Sequence, residues 1–178
     1  MNRFIKYSCC IALIALSFSC ASRKETVYQN HIPATQKKPP IQDSDQGSSS
    51  IKLSEQKKMI ARHAVKSLGL PYKWGGNSPE TGFDCSCLTS YTHKKAGIII
   101  PRTAKAQFNK GQFVEKQNLQ TGDLVFFNAP QKKGGWHVGI YIGKGHIIHA
   151  PGNGSKVTYG DLNHPYFKKY YMGTRRYY

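Results

Sequence analysis

Residues 136–150 read Trp136-His137-Val138-Gly139-Ile140-Tyr141-Ile142-Gly143-Lys144-Gly145-His146-Ile147-Ile148-His149-Ala150, and this stretch decides the fold. Side chains alternate across a strand, so Val138, Ile140 and Ile142 share one face and His137, Gly139 and Tyr141 the other. Read as a three-residue loop, Gly143-Lys144-Gly145 pairs Ile142 with His146 and Gly139 with His149. His149 then lies on the His137 face, diagonally adjacent and within side-chain reach. Gly139 has no side chain, which leaves room for the His149 imidazole. A two-residue loop would put the histidines on opposite faces, so an odd-length loop is expected.

Further strands are expected at 123–127, 155–159 and about 170–177, between turn residues. The pattern upstream is helical. Ser54 can cap a helix over 55–68, with Ile60, Ala64, Val65 and Leu68 on one face and Gly69 ending it. Residues 69–76 form a loop. A second helix begins near Asp84 or Cys85 and stops at Gly97. Pro101-Arg102-Thr103 leads into a third over 104–109. Helices followed by an antiparallel sheet define an α+β domain over 51–178, its helices packed on about five strands. There is no internal repeat.

The 178 residues suffice for one ordinary domain plus tails. The formal net charge is +17, and residues 51–178 hold 20 Lys/Arg against 6 Asp/Glu, so the excess lies in the folded part. Such a surface suits an anionic partner, or serves solubility alone. No arginine-rich tract or nucleic-acid signature is present, so no nucleic-acid partner is expected. Of five cysteines, Cys9, Cys10 and Cys20 lie in the first twenty residues, and Cys85 and Cys87 alone remain in the body. Two thiols cannot make a disulfide scaffold. His31, His63, His93, His146 and His164 show no metal-ligand spacing, so neither metal nor cofactor is expected.

The first residues look like an address. Arg3 and Lys6 precede the apolar run Cys9–Phe18, and Ser17-Phe18-Ser19-Cys20 ends it, as in a secretory signal. The run is too short to span a bilayer as a helix. The end resembles the lipobox of bacterial lipoproteins, in which the cysteine is lipidated. Ser19 fits, while Ser17 stands where Leu is usual. The expectation is a lipoprotein signal over 1–20 with lipid on Cys20, ordinary secretion being the alternative. Residues 21–50 are rich in Gln, Ser, Lys and Pro and read as a flexible tether.

Cys85 lies in Phe83-Asp84-Cys85-Ser86-Cys87-Leu88. With His137 and His149 it offers, in chain order, a nucleophile, a base and a residue to orient the base. A cysteine at a helix N-terminus gains from unpaired N–H groups and the positive end of the dipole. Taken singly, Cys85 reads as a small buried hydrophobe and each histidine as structural. The ordered set points to thiol catalysis.

Residues 51–178 resemble the NlpC/P60 family of cell-wall cysteine peptidases, which have a papain-like order of Cys, His and third polar residue. The resemblance is carried by Pro71-Tyr72-Lys73-Trp74-Gly75-Gly76, Asp84-Cys85-Ser86, Ala96-Gly97, Pro101-Arg102-Thr103, Gly122-Asp123-Leu124-Val125-Phe126-Phe127, His137–Gly143 and Ile148-His149-Ala150-Pro151. It implies the NlpC/P60 fold, Cys85 as nucleophile, His137 as base and then acid, and His149 as the orienting residue. It further implies that Tyr72 helps the Cys85 N–H stabilise an oxyanion. Asp84, Ser86 and Arg102 would lie near the cleft, either capping and pairing or contacting substrate. Trp74 and Trp136 would line the groove or fill core. One departure is Cys87, where the family pattern has Gly. Two residues along a helix is about 200° around its axis, so Cys87 should face away from Cys85.

The implied activity is hydrolysis of a peptide bond in the stem or cross-link peptides of peptidoglycan through a thioester. The implied setting is a monomer in the cell envelope, held on a membrane through Cys20, the outer membrane in a Gram-negative cell. The alternatives are another papain-like amidase or acyltransferase, and a catalytically silent wall-binding lipoprotein.

Overall fold

The computed structural model describes residues 44–131 and 134–178, and side chains from residue 47 onward within the first helix. The signal at 1–20, Cys20 and residues 21–43 of the expected tether lie outside the described residues.

Helix α1 spans Ser44–Lys66. It begins before Ser54, so the end of the expected tether forms its first turns, and Ser54 sits inside it. Their sequence is polar, with no apolar periodicity to reveal them, and residues 47–50 are exposed. Ile60 and Ala64 are fully buried, Leu68 is partly buried beyond the helix end, and the left-handed Gly69 follows. Val65, expected on the same face, is 47% exposed. It stands about 140° around the axis from Ile60, off the Ile60–Ala64–Leu68 stripe. Helix α2 spans Cys85–Lys95, with Asp84 as N-cap and left-handed Gly97 just past its end. Helix α3 spans Ala104–Lys110 and is capped by the Thr103 side chain.

Two short strands, β1 (Asn77–Ser78) and β2 (Gly82–Phe83), form a small hairpin before α2. The main sheet has six antiparallel strands in the order β3-β8-β4-β5-β6-β7. These are β3 (Gln112–Val114), β4 (Leu124–Asn128), β5 (Trp136–Gly143), β6 (His146–His149), β7 (Thr158–Asp161) and β8 (Tyr171–Arg176). The sixth strand, β3, and helix α4 (Pro165–Tyr170) were not expected from the sequence. Three residues are too few to show alternation, and α4 is one and a half turns with His164 as an uncommon cap.

The hairpin corrects one expectation while keeping its consequence. Gly143 pairs with His146, so the connection is two residues, Lys144-Gly145, not three. A bulge between Tyr141 and Gly143 then absorbs Ile142, and the ladder resumes at Tyr141–Ile147 and Ile140–Ile148. The extra residue in the bulge cancels the missing residue in the loop. A Cβ built on Gly139 would fall 3.3 Å from the His149 Cβ and 2.8 Å from Ile147 Cδ1, so the glycine does hold that space open.

The sheet separates two cores. Leu124, Phe126, Val138, Ile140 and Ile148 pack with the helical residues Ile60, Ala64 and Leu88. Val125, Phe127 and Ile147, on the opposite face, pack with Leu162 and Phe167 of the α4 region. Asp123, fully buried at the start of β4, accepts hydrogen bonds from Arg176 Nε and Nη2 (both 2.7 Å), the Tyr178 hydroxyl (2.8 Å) and the Gln120 N–H (2.7 Å). This ion pair fastens the C-terminal strand to the loop before β4.

His93 is completely buried in α2 and hydrogen-bonded through Nδ1 to the Thr89 carbonyl at 2.9 Å. Burial pushes its imidazolium down from 6.5 to about 4, against smaller opposing effects from the Thr89 carbonyl and Asp123. Between these values the unfolded chain binds the proton that the folded chain refuses, so stability falls as pH drops through that window. The expected outcome is a loss of up to about 3 kcal/mol between roughly pH 6.5 and 4 from this group. Urea melts at both pH values check it: His93→Gln should show a shallower decline than the parent.

Candidate active site

The candidate site is built around one carboxylate. Asp84 ends β2's extension and caps α2, its Oδ1 accepting the Cys87 N–H at 2.8 Å and the Ser86 hydroxyl at 3.0 Å. Its Oδ2 accepts the Gly75 N–H at 3.1 Å and Arg102 Nη2 at 2.7 Å. Arg102 Nη1 also donates to the Ser86 hydroxyl at 3.1 Å. One side chain therefore fastens the 71–76 loop, the start of α2 and the segment before α3. Gln107, fully buried in α3, strengthens this junction. Its amide donates to the Pro101 carbonyl (2.8 Å), the Ser86 carbonyl (3.1 Å) and the Ser90 hydroxyl (3.1 Å), and it accepts the Thr89 hydroxyl (2.9 Å). A buried glutamine inside a seven-residue helix carries no sequence signal, and its role is visible only here.

Cys85 is the first residue of α2, where backbone N–H groups have no intrahelical partners and the dipole favours an anion. Tyr72 is bridged to Phe83 and lies close by. Burial first, then the neighbouring Cys85 and Asp84, push the Tyr72 phenol up to about 12, so it stays a protonated donor at neutral pH. Cys87 points into the helix core, 2% exposed, as its position on α2 requires. Burial, followed by Asp84, pushes its thiol up to about 11.

His137 Nε2 and His149 Nδ1 are 2.7 Å apart, with ring centroids 5.0 Å apart and nearly perpendicular. Both rings are buried. Phe127 lies 6.1 Å from the His137 ring, and Phe167 lies 5.4 Å from the His149 ring. The two histidines therefore share a face and touch, as the hairpin reading required.

A cleft of about 940 Å³ joins these groups. One side is formed by Tyr72, Trp74, Cys85 and Arg102, the other by His137, His149 and the α4 residues His164, Tyr166 and Phe167. Asp84, Ser86 and Trp136 also line it. Trp74 is 62% exposed at the cleft, whereas Trp136 packs at a tilt against Phe108 with ring centroids 5.4 Å apart. Tyr72, Trp74, Asp84, Cys85, Ser86, Arg102, Trp136, His137 and His149 thus all line one cleft. Missed were Gln107 and the whole α4 wall. Among the described residues, no group of three or more His, Cys, Asp or Glu is arranged to hold a metal.

Residues 69–176 match the NlpC/P60 family, and the chain belongs to it. It is 38% identical over 128 residues to the murein DD-endopeptidase MepH of Escherichia coli, covering 70% of this chain and 47% of that protein. It is 47% identical over 111 residues to the gamma-D-glutamyl-L-lysine dipeptidyl-peptidase of Bacillus cereus, covering 62% of this chain and 33% of that protein. The chain thus spans less than half the length of either relative. A crystal structure of an NlpC/P60 family protein from Bacillus cereus superposes with a TM-score of 0.63 at 43% identity, over 68% of this chain and 40% of that one. The α+β architecture is that of the family.

Two outcomes follow from the geometry. Asp84→Ala strips an N-cap and leaves the Arg102 charge without its partner, and should cost about 3 kcal/mol in urea unfolding; Asp84→Asn, which can still cap, should cost less. Tyr72 should not ionise below about pH 11, so absorbance titration should give the same phenolate signal for the parent and Tyr72→Phe up to roughly pH 10.5. A signal lower by one tyrosine in the variant would contradict the burial of that phenol.

Proposed function

We propose that this chain is a cysteine endopeptidase of the bacterial cell wall, cutting an amide bond in the stem or cross-link peptides of peptidoglycan. The observation that carries this reading is the 2.7 Å contact between His137 and His149 in the same cleft as a cysteine at a helix N-terminus. The names of the relatives agree with it, one a murein endopeptidase and one a peptidase of a γ-D-glutamyl bond.

With Nε2 engaged by His149, His137 uses Nδ1 to take the Cys85 proton. The thiolate attacks the substrate carbonyl, and the resulting oxyanion is held by the Cys85 N–H and the Tyr72 hydroxyl. The His137 imidazolium then gives its proton to the leaving amine, the C–N bond breaks, and a thioester remains on Cys85. Water, deprotonated by His137, attacks the thioester, releasing the acid and restoring the thiol. His149 holds the His137 ring in the plane and tautomer both steps need. Arg102 and Ser86 hold Asp84, and their outer surfaces are available to the acyl side of the substrate. The basic surface favours an anionic wall. On this reading residues 1–20 are a lipoprotein signal, Cys20 is lipidated, and the protein works at the envelope as a monomer. No helix among the described residues is long and apolar enough to cross a membrane.

The test is digestion of purified peptidoglycan by the full chain and by its Cys85→Ala form, with released fragments mass-analysed. Thiol-dependent release by the parent and none by the variant is expected, and the fragment masses name the bond. Equal release by both would remove Cys85 as the nucleophile, and none by either from several wall types would move the assignment to a wall-binding module.

A further inference from the structure

The side of α2 turned away from the cleft carries a second hollow. Cys87, Ser90, Tyr91 and Lys94 follow the three-four-seven spacing of one helix face, about 140° to 240° around the axis from Cys85. All four line a cavity of about 560 Å³, completed by Lys95, by Asn77 of β1 and by Arg102. Cys87, 2% exposed, forms its floor. Tyr91 forms a wall, with the Lys95 ammonium 5.6 Å from its ring centroid. Arg102 borders both this cavity and the cleft, and is the one described residue that does.

The charge in the hollow is positive and only partly answered. Among the described residues, no Asp or Glu lines it. Arg102 is paired with Asp84 on the cleft side at 2.7 Å. Lys94 and Lys95 are exposed and have no carboxylate in the lining. The Glu80 carboxyl, outside the lining, is held below its usual range by Ser78 and its own backbone first, and by Lys95 last. Burial first, then Lys66, Lys95 and Arg62, hold the His63 imidazole below its usual range. The His63 ring stands edge-on to Tyr91 with centroids 6.0 Å apart, so the positive region runs from α2 onto α1. The negative end of the α2 dipole accounts for lysines in the last turn. It accounts neither for Arg102, which comes from another segment, nor for the hollow between them. Cys87 adds no anion, since burial pushes its thiol up to about 11.

These groups select an anion by charge and by donor. The two lysines bring two positive charges beyond the Arg102–Asp84 pair. A carboxylate or a phosphodiester carries one negative charge and would leave an ammonium unanswered. A phosphate monoester carries about −1.5 to −2 at neutral pH and three acceptor oxygens. The Ser90 hydroxyl already donates to the Pro101 carbonyl at 3.1 Å. The donors for those oxygens are therefore the two ammonium groups, with three N–H bonds each, and the Asn77 amide. We propose that the hollow behind α2 binds a phosphate monoester, with Lys94 and Lys95 as its charge-bearing ligands. Tyr91 is then the surface against which the rest of the ligand packs. Cys85 stands on the other side of α2, so a ligand held here leaves the cleft open.

Calorimetry on the full chain tests this with glycerol phosphate and with acetate at one fixed salt concentration. Glycerol phosphate should bind roughly tenfold more tightly than acetate, since it answers the second lysine as well. Lys94→Gln combined with Lys95→Gln should weaken glycerol phosphate binding roughly tenfold. Lys168→Gln combined with Lys169→Gln, on α4, removes the same charge elsewhere and should leave the affinity within about twofold. Both lysine pairs are exposed, and urea midpoints at the parent value show that the folds are intact. In the unmutated chain, backbone amide shifts on adding glycerol phosphate should centre on Asn77, Ser90, Tyr91 and Lys94. Equal affinity for acetate, equal weakening by the two double variants, shifts centred on the cleft, or no binding of glycerol phosphate overturns the site. Phosphatidylcholine vesicles containing phosphatidate separate the sources of the monoester. Their capture of the parent but not of the Lys94 and Lys95 double variant upholds the site with a lipid headgroup as its ligand. Glycerol phosphate binding without such capture upholds it with a monoester that is not a lipid.

Discussion

The Asp84 carboxylate is the constraint on which the candidate site depends. It is 5% exposed and accepts from the Gly75 and Cys87 N–H groups, the Ser86 hydroxyl and Arg102. A buried carboxylate is costly unless its acceptor sites are filled, and here donors from three separate segments fill them. The reverse also holds: those segments meet where they do because a single charge satisfies all of them. Tyr72 sits on the first segment, Cys85 on the second and Arg102 on the third. The relative position of hydroxyl, thiol and guanidinium thus follows from one side chain that need not touch the reacting atoms.

The opposite wall is set by strand register. A slip of one residue between β5 and β6 would move every side chain of one strand to the other face. The bulge at Ile142 compensates the short Lys144-Gly145 connection, and His149 returns to the His137 face. Lys144 takes a left-handed backbone conformation in that connection, φ 51°, between glycines with positive φ. Gly139 leaves the space beside His149 vacant of side chain, and Phe127 and Phe167 flank the pair of rings. The cleft draws on both faces of the sheet, with the thiol arriving on the helical side and the imidazoles on the α4 side.

Among the described residues that line the cleft Asp84 is the one acid, and it is ion-paired with Arg102. The formal net charge of the chain is +17, so the long-range field around the groove is positive. Cys87, the departure from the family pattern, is absorbed by the core behind α2 and takes no place in the groove.

Much of this was legible in the sequence because it is local. Gly97 marked the end of α2 and Pro101-Arg102-Thr103 the start of α3, alternation marked β4 and β5, and the order of Cys85, His137 and His149 marked the candidate site. Alternation along β5 and β6 also sufficed to put the two histidines together, although the loop length was misjudged, since a loop and a bulge have equal and opposite effects on register. What the sequence could not determine is what depends on meeting distant partners. The start of α1 is polar and aperiodic, and β3 and α4 are too short to carry a period of their own. Gln107 is recognisable as a clamp only when Pro101, Ser86 and Ser90 surround it. His164 becomes part of a cleft only when the chain after β7 folds back against His149. The sequence by itself marked the candidate thiol and imidazoles, because residue type and local backbone set them. Tertiary structure alone decided the shape, charge and far wall of the groove, because these arise where segments separated in sequence are brought into contact.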